Sequence, residues 1–306
     1  MHTRTSFLPE NGHPKGPVHP TSAGFSPAQP RVPNVIAGLG YLSPTSERPY
    51  RYMYRPPAGE AWHNCDYELI PSPIADARAM AMPPTIDVEG FELRDAPSSV
   101  TNFAVEAAIR DRYYPEAIEL AKSVTGADHA VIFDHAVRRR ETGRPELNFG
   151  RDSDAGPLGA VGRVHVDYSE ASGRGRLQLL AAEDKVSPDP QRFAIINIWR
   201  SIAGKIVDTP LALCDARSVS VKDLVVTDLR YRDRMGEIYL VQRSPYHRWA
   251  YFPEMARHEA LIFKQYDSQV SGIARFTPHS AFDLPDIPAD APLRESIEVR
   301  CLVTYN

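Results

Sequence analysis

The chain has 306 residues, 42% of them hydrophobic, which is enough for one large domain or two small ones around a sizeable core. A formal net charge of -4 gives no electrostatic reason to bind nucleic acid. No hydrophobic run approaches the roughly 20 residues that span a bilayer, and the N-terminus lacks the apolar core of a signal peptide. The three cysteines are far apart, so we expect a cytoplasmic protein without disulfides and without a membrane partner.

The first 32 residues are rich in Pro, Gly, Ser and His and poor in apolar residues. Such a composition cannot bury enough apolar surface to offset the entropy of ordering, so we predict a disordered tail over residues 1–32. Its histidines, His2, His13 and His19, are expected to be solvated, with metal binding as the alternative. The folded domain is then predicted over residues 33–306, beginning with an aromatic segment (33–55) that could lie on the core as an extended arm.

A helix is predicted next, because residues 98–125 have a helical pattern of apolar residues. Pro115 suits a first helical turn and Gly126 is a typical stop signal. The segment that follows, residues 129–139, has the pattern of a buried strand ending in polar residues. A short helix capped by Ser220 and Asp223 is also expected further along the chain.

Strands dominate the pattern after Gly162. Eight short segments separated by turn signals, together with 28 prolines, disfavour a helical bundle and predict a mainly β barrel or jelly roll. The predicted strands lie within residues 163–169, 193–202, 211–216, 238–243, 247–252, 260–268, 274–282 and 294–303.

The pattern His165-Val166-Asp167 suggests a metal site. Residues two apart in a strand project to the same face, so the imidazole and the carboxylate converge on one point. A His-x-Asp pair alone is weak evidence, since it also suits a structural hydrogen bond. His279, at the end of a later strand, supplies the third ligand of a facial triad that leaves positions open on Fe(II).

The pair Arg294 and Ser296 strengthens this interpretation. Both residues share one strand face, where a guanidinium group and a hydroxyl can bind the distal carboxylate of 2-oxoglutarate. The alternative for Arg294 is an ordinary surface arginine. Arg300 lies on the same face of the same strand and is the competing candidate for the co-substrate.

Four further residues are candidates for substrate binding. Asn197 and Trp199 share a strand face and could line the pocket, although core packing is the alternative for Trp199. Tyr266 could donate a hydrogen bond to a ligand carboxylate, and Arg200 or Arg300 could hold the carboxylate of an amino acid. Four other histidines are expected in core or surface roles, namely His129, His135, His247 and His258.

The chain resembles a family of fungal oxygenases, grouped as cephalosporin 7α-methoxylase small-chain-like and gibberellin desaturase-like proteins. The resemblance covers roughly residues 35–306 and rests on an ordered set of segments. It implies a double-stranded β-helix with flanking helices, Fe(II), 2-oxoglutarate and O₂, with the iron on His165, Asp167 and His279. The segments are GLGYL, IADAR, GFELRDAPSSVTNF, YYPEAIELAKSVTGADHAVIFDHAVRR, VHVDYSE, NIWRSI, PLALCDARS, RWAYFPEM, LIFKQYDS, ARFTPHSAF and RESIEVR.

The resemblance also implies a small-molecule substrate in secondary metabolism, an amino acid or a terpenoid for example. Hydroxylation, desaturation and oxidative cyclisation are the expected outcomes. The aromatic segment from Tyr41 to Tyr54 is expected to line an apolar pocket. Two rival functions remain open: a cupin-like metal-dependent isomerase or lyase, and a non-catalytic barrel that only binds a ligand. The sequence also leaves the oligomeric state open, a homodimer included.

Overall fold

Strands make up most of the regular structure in residues 33–150 and 158–306, the part of the chain that the computed structural model describes. The predicted tail, residues 1–32, lies outside the described residues, so its disorder stays a prediction. The described residues include no helix that is both long enough and apolar enough to cross a membrane.

The N-terminal half of the described chain contains five strands and two helices. A π-helical turn, Ile109–Tyr113, joins the helices. The elements are β1 (Asn34–Leu42), β2 (Tyr50–Tyr52), β3 (Tyr67–Asp76), β4 (Phe91–Asp95), α1 (Glu106–Ala108), α2 (Tyr114–Thr125) and β5 (His129–Arg139).

The C-terminal half contains nine strands and one helix. Two of its short 3-10 turns lie at Ala216–Ser218 and Val221–Asp223. The elements are β6 (His165–Val166), α3 (Glu170–Ala182), β7 (Arg192–Ser201), β8 (Leu211–Cys214), β9 (Leu224–Arg230), β10 (Met235–Val241), β11 (Trp249–Tyr251), β12 (Glu259–Asp267), β13 (His279–Ala281) and β14 (Glu295–Tyr305).

These strands form two sheets. The larger has nine strands in the order β1-β3-β11-β8-β13-β6-β10-β9-β2, and the smaller has five in the order β4-β12-β7-β14-β5. Most neighbouring strands are antiparallel and distant in sequence, as in a jelly roll. The predicted mainly β jelly roll is confirmed, and each of the eight predicted segments after Gly162 contains a strand.

The predicted helix is confirmed between Pro115 and Gly126, whereas residues 98–105 of the predicted helical pattern are not helical. Pro115 lies in the first turn of α2, and Gly126 ends the helix in the left-handed conformation at φ 69°. The short helix expected at Ser220 is the turn Val221–Asp223, in which Ser220 and Asp223 form a reciprocal capping box.

The helix α3 is absent from the sequence-based expectations, which place no helix between Gly162 and Ser220. Two glycines and a poorly segregated apolar face conceal it. It is stabilised by its surroundings: Ser169 and Ser172 form a capping box, and Gly173 lies so close to the Tyr266 ring that an added Cβ would come within 2.7 Å of it. Tertiary packing therefore overrides a weak local pattern.

The aromatic segment is part of the larger sheet, not an arm laid over the core. Its first part, β1, pairs along its whole length with β3. Tyr41 is buried and accepts a hydrogen bond from Trp249 Nε1, with 2.8 Å between donor and acceptor. The expectation of an extended arm is therefore wrong, because these residues form strands of the sheet.

The smaller sheet separates two environments. On one face of β7, Ile196 and Ile198 pack with Tyr113 and Ala117 in the core beneath α2. Truncating such a buried isoleucine to alanine costs about 2–5 kcal/mol. Because side chains alternate along a strand, Trp199 projects to the opposite face, into the space between the two sheets. That interior space contains the site described next.

Candidate metal centre

Three of the predicted ligands meet between the sheets. His165 on β6 is paired directly with His279 on β13, and their ring centroids are 4.3 Å apart. Asp167 follows two residues after His165, and its Oδ1 lies 3.4 Å from His165 Nε2. One ligand atom from each of the three residues lies within 4.8 Å of the others, and no other group of this kind occurs in the described parts of the chain.

Hydrogen bonds fix the orientation of both imidazole rings. His165 Nδ1 lies 2.9 Å from the carbonyl oxygen of Arg163, and His279 Nδ1 lies 3.4 Å from that of Thr277. A carbonyl oxygen only accepts, so Nδ1 carries the proton in each ring. The unprotonated Nε2 atoms are then available to a metal, as in most protein metal sites.

Burial keeps both rings neutral. It lowers the pKa of His165 to about 4, aided by the nearby His279, and it also lowers the pKa of His279. Neutral imidazole is the form that binds metal ions. Both rings are therefore in the ligating form at neutral pH.

Asp167 is held by three neighbours. Its Oδ2 accepts from Arg300 Nε at 3.0 Å and from Asn197 Nδ2 at 2.8 Å, while its backbone N–H donates to Gln265 Oε1 at 2.7 Å. Burial opposes ionisation of this carboxyl group, but the charge of Arg300 outweighs it and holds the pKa of Asp167 well below its usual range. The second oxygen, Oδ1, faces His165.

Two β-bulges surround Asp167. In β12 the pairing with β7 skips Gln265, and in β5 the pairing with β14 skips Phe133 beside Arg300. A bulge re-aims side chains that regular pairing would direct elsewhere, and bulges are common beside active sites. The Gln265 bulge directs the amide side chain to the backbone of Asp167.

The predicted co-substrate arginine lies deep in the same space. Arg294 is 3% exposed, its Nε donates to Ser296 Oγ at 3.2 Å, and its Nη1 donates to the Thr209 carbonyl oxygen at 3.0 Å. Its guanidinium carbon lies 5.1 Å from the centre of the Trp199 ring. No carboxylate of residues 33–150 or 158–306 forms an ion pair with it. Burial, then the neighbouring Arg138, lowers the pKa of Arg294 to about 10, so it remains charged.

Arg300, the competing candidate, has carboxylate partners on all three nitrogens. Its Nε bonds Asp167 at 3.0 Å, Nη1 bonds Asp134 at 2.8 Å and Nη2 bonds Glu298 at 2.8 Å. The contacts with Asp167 and Glu298 outweigh burial and raise the pKa of Arg300 well above its usual value. These contacts suit a residue that positions Asp167.

The four predicted substrate residues separate into two groups. Trp199 lines the cavity beside the metal ligands. Asn197 does not line it but donates a hydrogen bond to Asp167, which does. Arg200 projects from the opposite face of β7, where its Nε donates to the Tyr113 hydroxyl at 2.9 Å. Tyr266 is fully buried under α3 and donates to Glu170 at 3.0 Å. The structure therefore places Arg200 and Tyr266 away from the cavity.

Of the four other histidines considered, His258 is exposed and the rest contact polar groups of the protein. The rings of His135 and His247 contact tyrosine hydroxyls, and His129 contacts a backbone carbonyl. The aromatic segment does not line the cavity, so that expectation is wrong. The lining residues, as far as the structure describes them, are Arg138, Val161, His165, Asp167, Trp199, Leu211, His279, Ala281, Arg294, Glu298 and Arg300.

Sequence reasoning missed three residues of this site: Arg138, Gln265 and Glu298. Glu298 could have been found, because it lies midway between Ser296 and Arg300 on the same strand face. Gln265 depends on a bulge, and Arg138 is one of three consecutive arginines that only strand pairing distinguishes.

The donor set suits Fe(II). Two neutral imidazoles and one ionised carboxylate, each anchored by an outer hydrogen bond, form the 2-His-1-carboxylate arrangement that leaves coordination positions for other ligands. The buried cation of Arg294, without a carboxylate partner among the described residues, suits an acidic co-substrate in the same cavity.

Comparisons with known proteins agree with this chemistry. A family model described as an oxidoreductase/YMDC permease-like domain matches residues 39–304. The hydroxylase/desaturase efuI of Hormonema carpetanum is 32% identical over 255 residues, which cover 78% of this chain and 85% of efuI. The Fe(II)/2-oxoglutarate-dependent dioxygenase nvfI of Aspergillus novofumigatus is 32% identical over 267 residues, 85% of this chain and 91% of nvfI.

A solved structure extends the similarity to three dimensions. The iron and alpha-ketoglutarate-dependent endoperoxidase NvfI superposes with a TM-score of 0.77 at 27% identity, covering 90% of this chain and 99% of NvfI. Fold, metal-ligand set and sequence therefore agree. The chain belongs to the family of fungal Fe(II)/2-oxoglutarate-dependent oxygenases that includes these hydroxylase/desaturases and dioxygenases.

Proposed function

We propose that His165, Asp167 and His279 hold the iron and that Arg294, assisted by Ser296, binds the distal carboxylate of 2-oxoglutarate. The observation that carries the proposal is the convergence of the three ligand atoms within 4.8 Å, in a cavity that Arg294 also lines. When bound, Fe(II) and 2-oxoglutarate couple the reduction of O₂ and the release of succinate and CO₂ to oxidation of a substrate C–H bond.

The chain's own contribution is orientation. Arg300 and Asn197 hold Oδ2 of Asp167, which leaves Oδ1 for the metal. The carbonyl oxygens beside each histidine hold Nε2 toward the same point. A ligand set fixed in this way would hold the ion in one place and leave it positions for co-substrate and O₂.

We propose a small-molecule intermediate of a fungal biosynthetic pathway as the substrate, undergoing hydroxylation, desaturation or oxidative ring closure. The names of the relatives include hydroxylase/desaturase and endoperoxidase, which supports this range of outcomes. Of the two arginines considered for an amino-acid carboxylate, Arg200 lies outside the cavity and Arg300 is fully engaged. This arrangement favours a terpenoid or polyketide over a free amino acid.

Anaerobic titration with Fe(II) and then 2-oxoglutarate tests the proposed roles. We expect one equivalent of iron and a weak visible charge-transfer band in the wild type. The band should be absent in His279→Ala, and Arg294→Met should form it only at higher 2-oxoglutarate concentrations. An unchanged band in His279→Ala would refute the ligand assignment. Succinate release on panels of terpenoids, polyketides and amino acids then tests the substrate class.

A further inference from the structure

A second arginine faces the same cavity as Arg294. Arg138 lies on β5, where strand pairing places it directly opposite Ser296 of β14. Directly paired residues on neighbouring strands project to the same face, and Ser296 is itself in contact with Arg294. Arg138 and Arg294 are therefore brought to one cavity from two adjacent strands, and both line it.

Arg138 has no carboxylate partner in the described parts of the chain. Its Nη1 donates to the carbonyl oxygen of Gly159 at 3.1 Å, and this is its one hydrogen bond to a described residue. Glu298 is close enough to favour the charged form of Arg138, but Oε1 of Glu298 accepts from Arg300. The guanidinium group of Arg138 thus retains donors that form no hydrogen bond with a carboxylate of the described residues.

Two cations share this part of the cavity. Burial lowers the pKa of Arg138, and after burial the charge of Arg138 is the largest cause of the lowered pKa of Arg294. Like charges held together away from water cost free energy unless an anion binds with them. Among the described residues, the groups that accept hydrogen bonds from the two guanidinium groups are hydroxyl and carbonyl oxygens of Ser296, Thr209 and Gly159, which suits an anionic ligand.

We propose that Arg138 and Arg294 together bind the distal carboxylate of 2-oxoglutarate, so that the co-substrate site has two guanidinium groups. The inference rests on the proposed function. It also names a specificity: a 2-oxo acid without the distal carboxylate leaves both cations unpaired and binds weakly.

The position of Arg138 along the strand indicates that its ligand is the co-substrate, 2-oxoglutarate, and not the substrate that is oxidised. Arg138 is paired at the level of Ser296, whereas the metal end of β14 is the level at which Arg300 pairs with Asp134. The anion that Arg138 meets is therefore the one that reaches Ser296 and Arg294. In the proposed orientation that anion is the carboxylate farthest from the iron.

The test compares two 2-oxo acids on the iron-loaded protein without oxygen. Dissociation constants of 2-oxoglutarate and of 2-oxopentanoate, which lacks the distal carboxylate, are measured from the visible band for the wild type, Arg138→Met and Arg138→Lys. The matched control is Arg139→Met. Arg139 is the next residue of β5, projects to the other face and pairs with Glu295 at 2.9 Å. Iron content is measured first in every variant.

We expect Arg138→Met to bind 2-oxoglutarate at least tenfold more weakly, or about 1.4 kcal/mol, and 2-oxopentanoate about as well as the wild type. Arg138→Lys should be intermediate, because it keeps the charge and loses the fork. Wild-type affinity for 2-oxoglutarate in Arg138→Met would overturn the inference, and so would an equal loss for both acids. If Arg294→Met alone weakens 2-oxoglutarate, the proposed function stands and only the role of Arg138 fails. If the wild type forms no band, the proposed function itself fails.

Discussion

Two arginines along β14 face the cavity, and the protein surrounds them differently. Arg300, in the middle of the strand, donates to carboxylates of Asp134, Asp167 and Glu298. Arg294, immediately before the strand, donates to one hydroxyl and one carbonyl oxygen. Among the described residues, Arg300 therefore has three anionic partners and Arg294 has none.

This difference distinguishes a positioning role from a binding role. A buried charge whose partners all come from the protein fixes those partners in place, and removing it leaves them uncompensated. A buried charge without an anionic partner costs free energy until a ligand supplies one. Near the metal ligands, the charge of Arg300 is thus already paired before any ligand binds, whereas Arg294 would gain its anionic partner from the co-substrate.

The largest expected effect is at the metal end. Asp167→Ala removes the one anionic ligand and should abolish both stoichiometric iron binding and turnover. Metal analysis of the purified protein after incubation with Fe(II) measures this directly. Asp134→Asn is the matched control, because Asp134 also contacts Arg300 but is largely exposed and should leave iron binding intact. Full iron occupancy in Asp167→Ala would contradict the assignment.

At the other end, Arg294→Met should weaken 2-oxoglutarate binding by about 30-fold or more, since truncating one partner of a buried charge pair costs roughly 2 kcal/mol or more. Iron affinity should not change. The ligand-free protein should be no less stable than the wild type, because the substitution removes a buried charge that has no anionic partner among the described residues. Calorimetric titration and thermal unfolding measure the two quantities, and a large drop in unfolding temperature would show that Arg294 has a structural role.

Arg300→Met should have the opposite signature. Loss of an outer partner of a metal ligand typically lowers metal affinity about 10–100-fold, so we expect iron to bind more weakly by roughly that factor. The ligand-free protein should also be destabilised, by less than the roughly 3–5 kcal/mol of a fully buried pair, because 18% of this side chain is exposed. Unchanged stability in Arg300→Met, with a loss in Arg294→Met, would reverse the comparison.

The smallest expected effect concerns the packing of α3, the helix that begins just after Asp167. In Gly173→Ala the new Cβ would lie 2.7 Å from the Tyr266 ring, an overpacking that costs about 1–3 kcal/mol. Gly175→Ala, in the same helix with nothing within 4 Å, should instead stabilise by up to about 1 kcal/mol. Urea unfolding compares the pair. Equal effects of the two substitutions would mean that α3 does not pack as described.

Much of the site could be predicted from the sequence because its residues follow strand periodicity. His165 and Asp167 are two apart, as are Arg294 and Ser296, and alternation alone places each pair on one face. Periodicity also predicts Arg300 on that face but says nothing about its partners. Only the structure shows that its donors are already bonded to carboxylates.

The parts of the fold that sequence reasoning missed depend on neighbours distant in the chain. The helix α3 contains Gly173 and is held by its contact with Tyr266 and by its cap. The strand β3 contains Pro71 and Pro73, which argue against a strand. Its partner β11 pairs only with Ile74–Asp76, so both prolines lie where β3 has a neighbour on one side. No local pattern contains that information.

The bulge at Gln265 also governs how β12 can change over evolution. Pairing before the bulge directs Phe263 into the interior, and after it Tyr266 is directed there as well, so the strand has two halves of opposite phase. If Gln265 instead joined a regular ladder without a bulge, Tyr266 would turn away from α3, and inside would be exchanged for outside along the rest of the strand. Deletion of Gln265 would keep Tyr266 opposite Ile195 and on the inner face, but it would remove the amide oxygen that accepts from the backbone of Asp167. The extra residue of β12 is therefore needed by the metal site and not by the regular pairing of the strand.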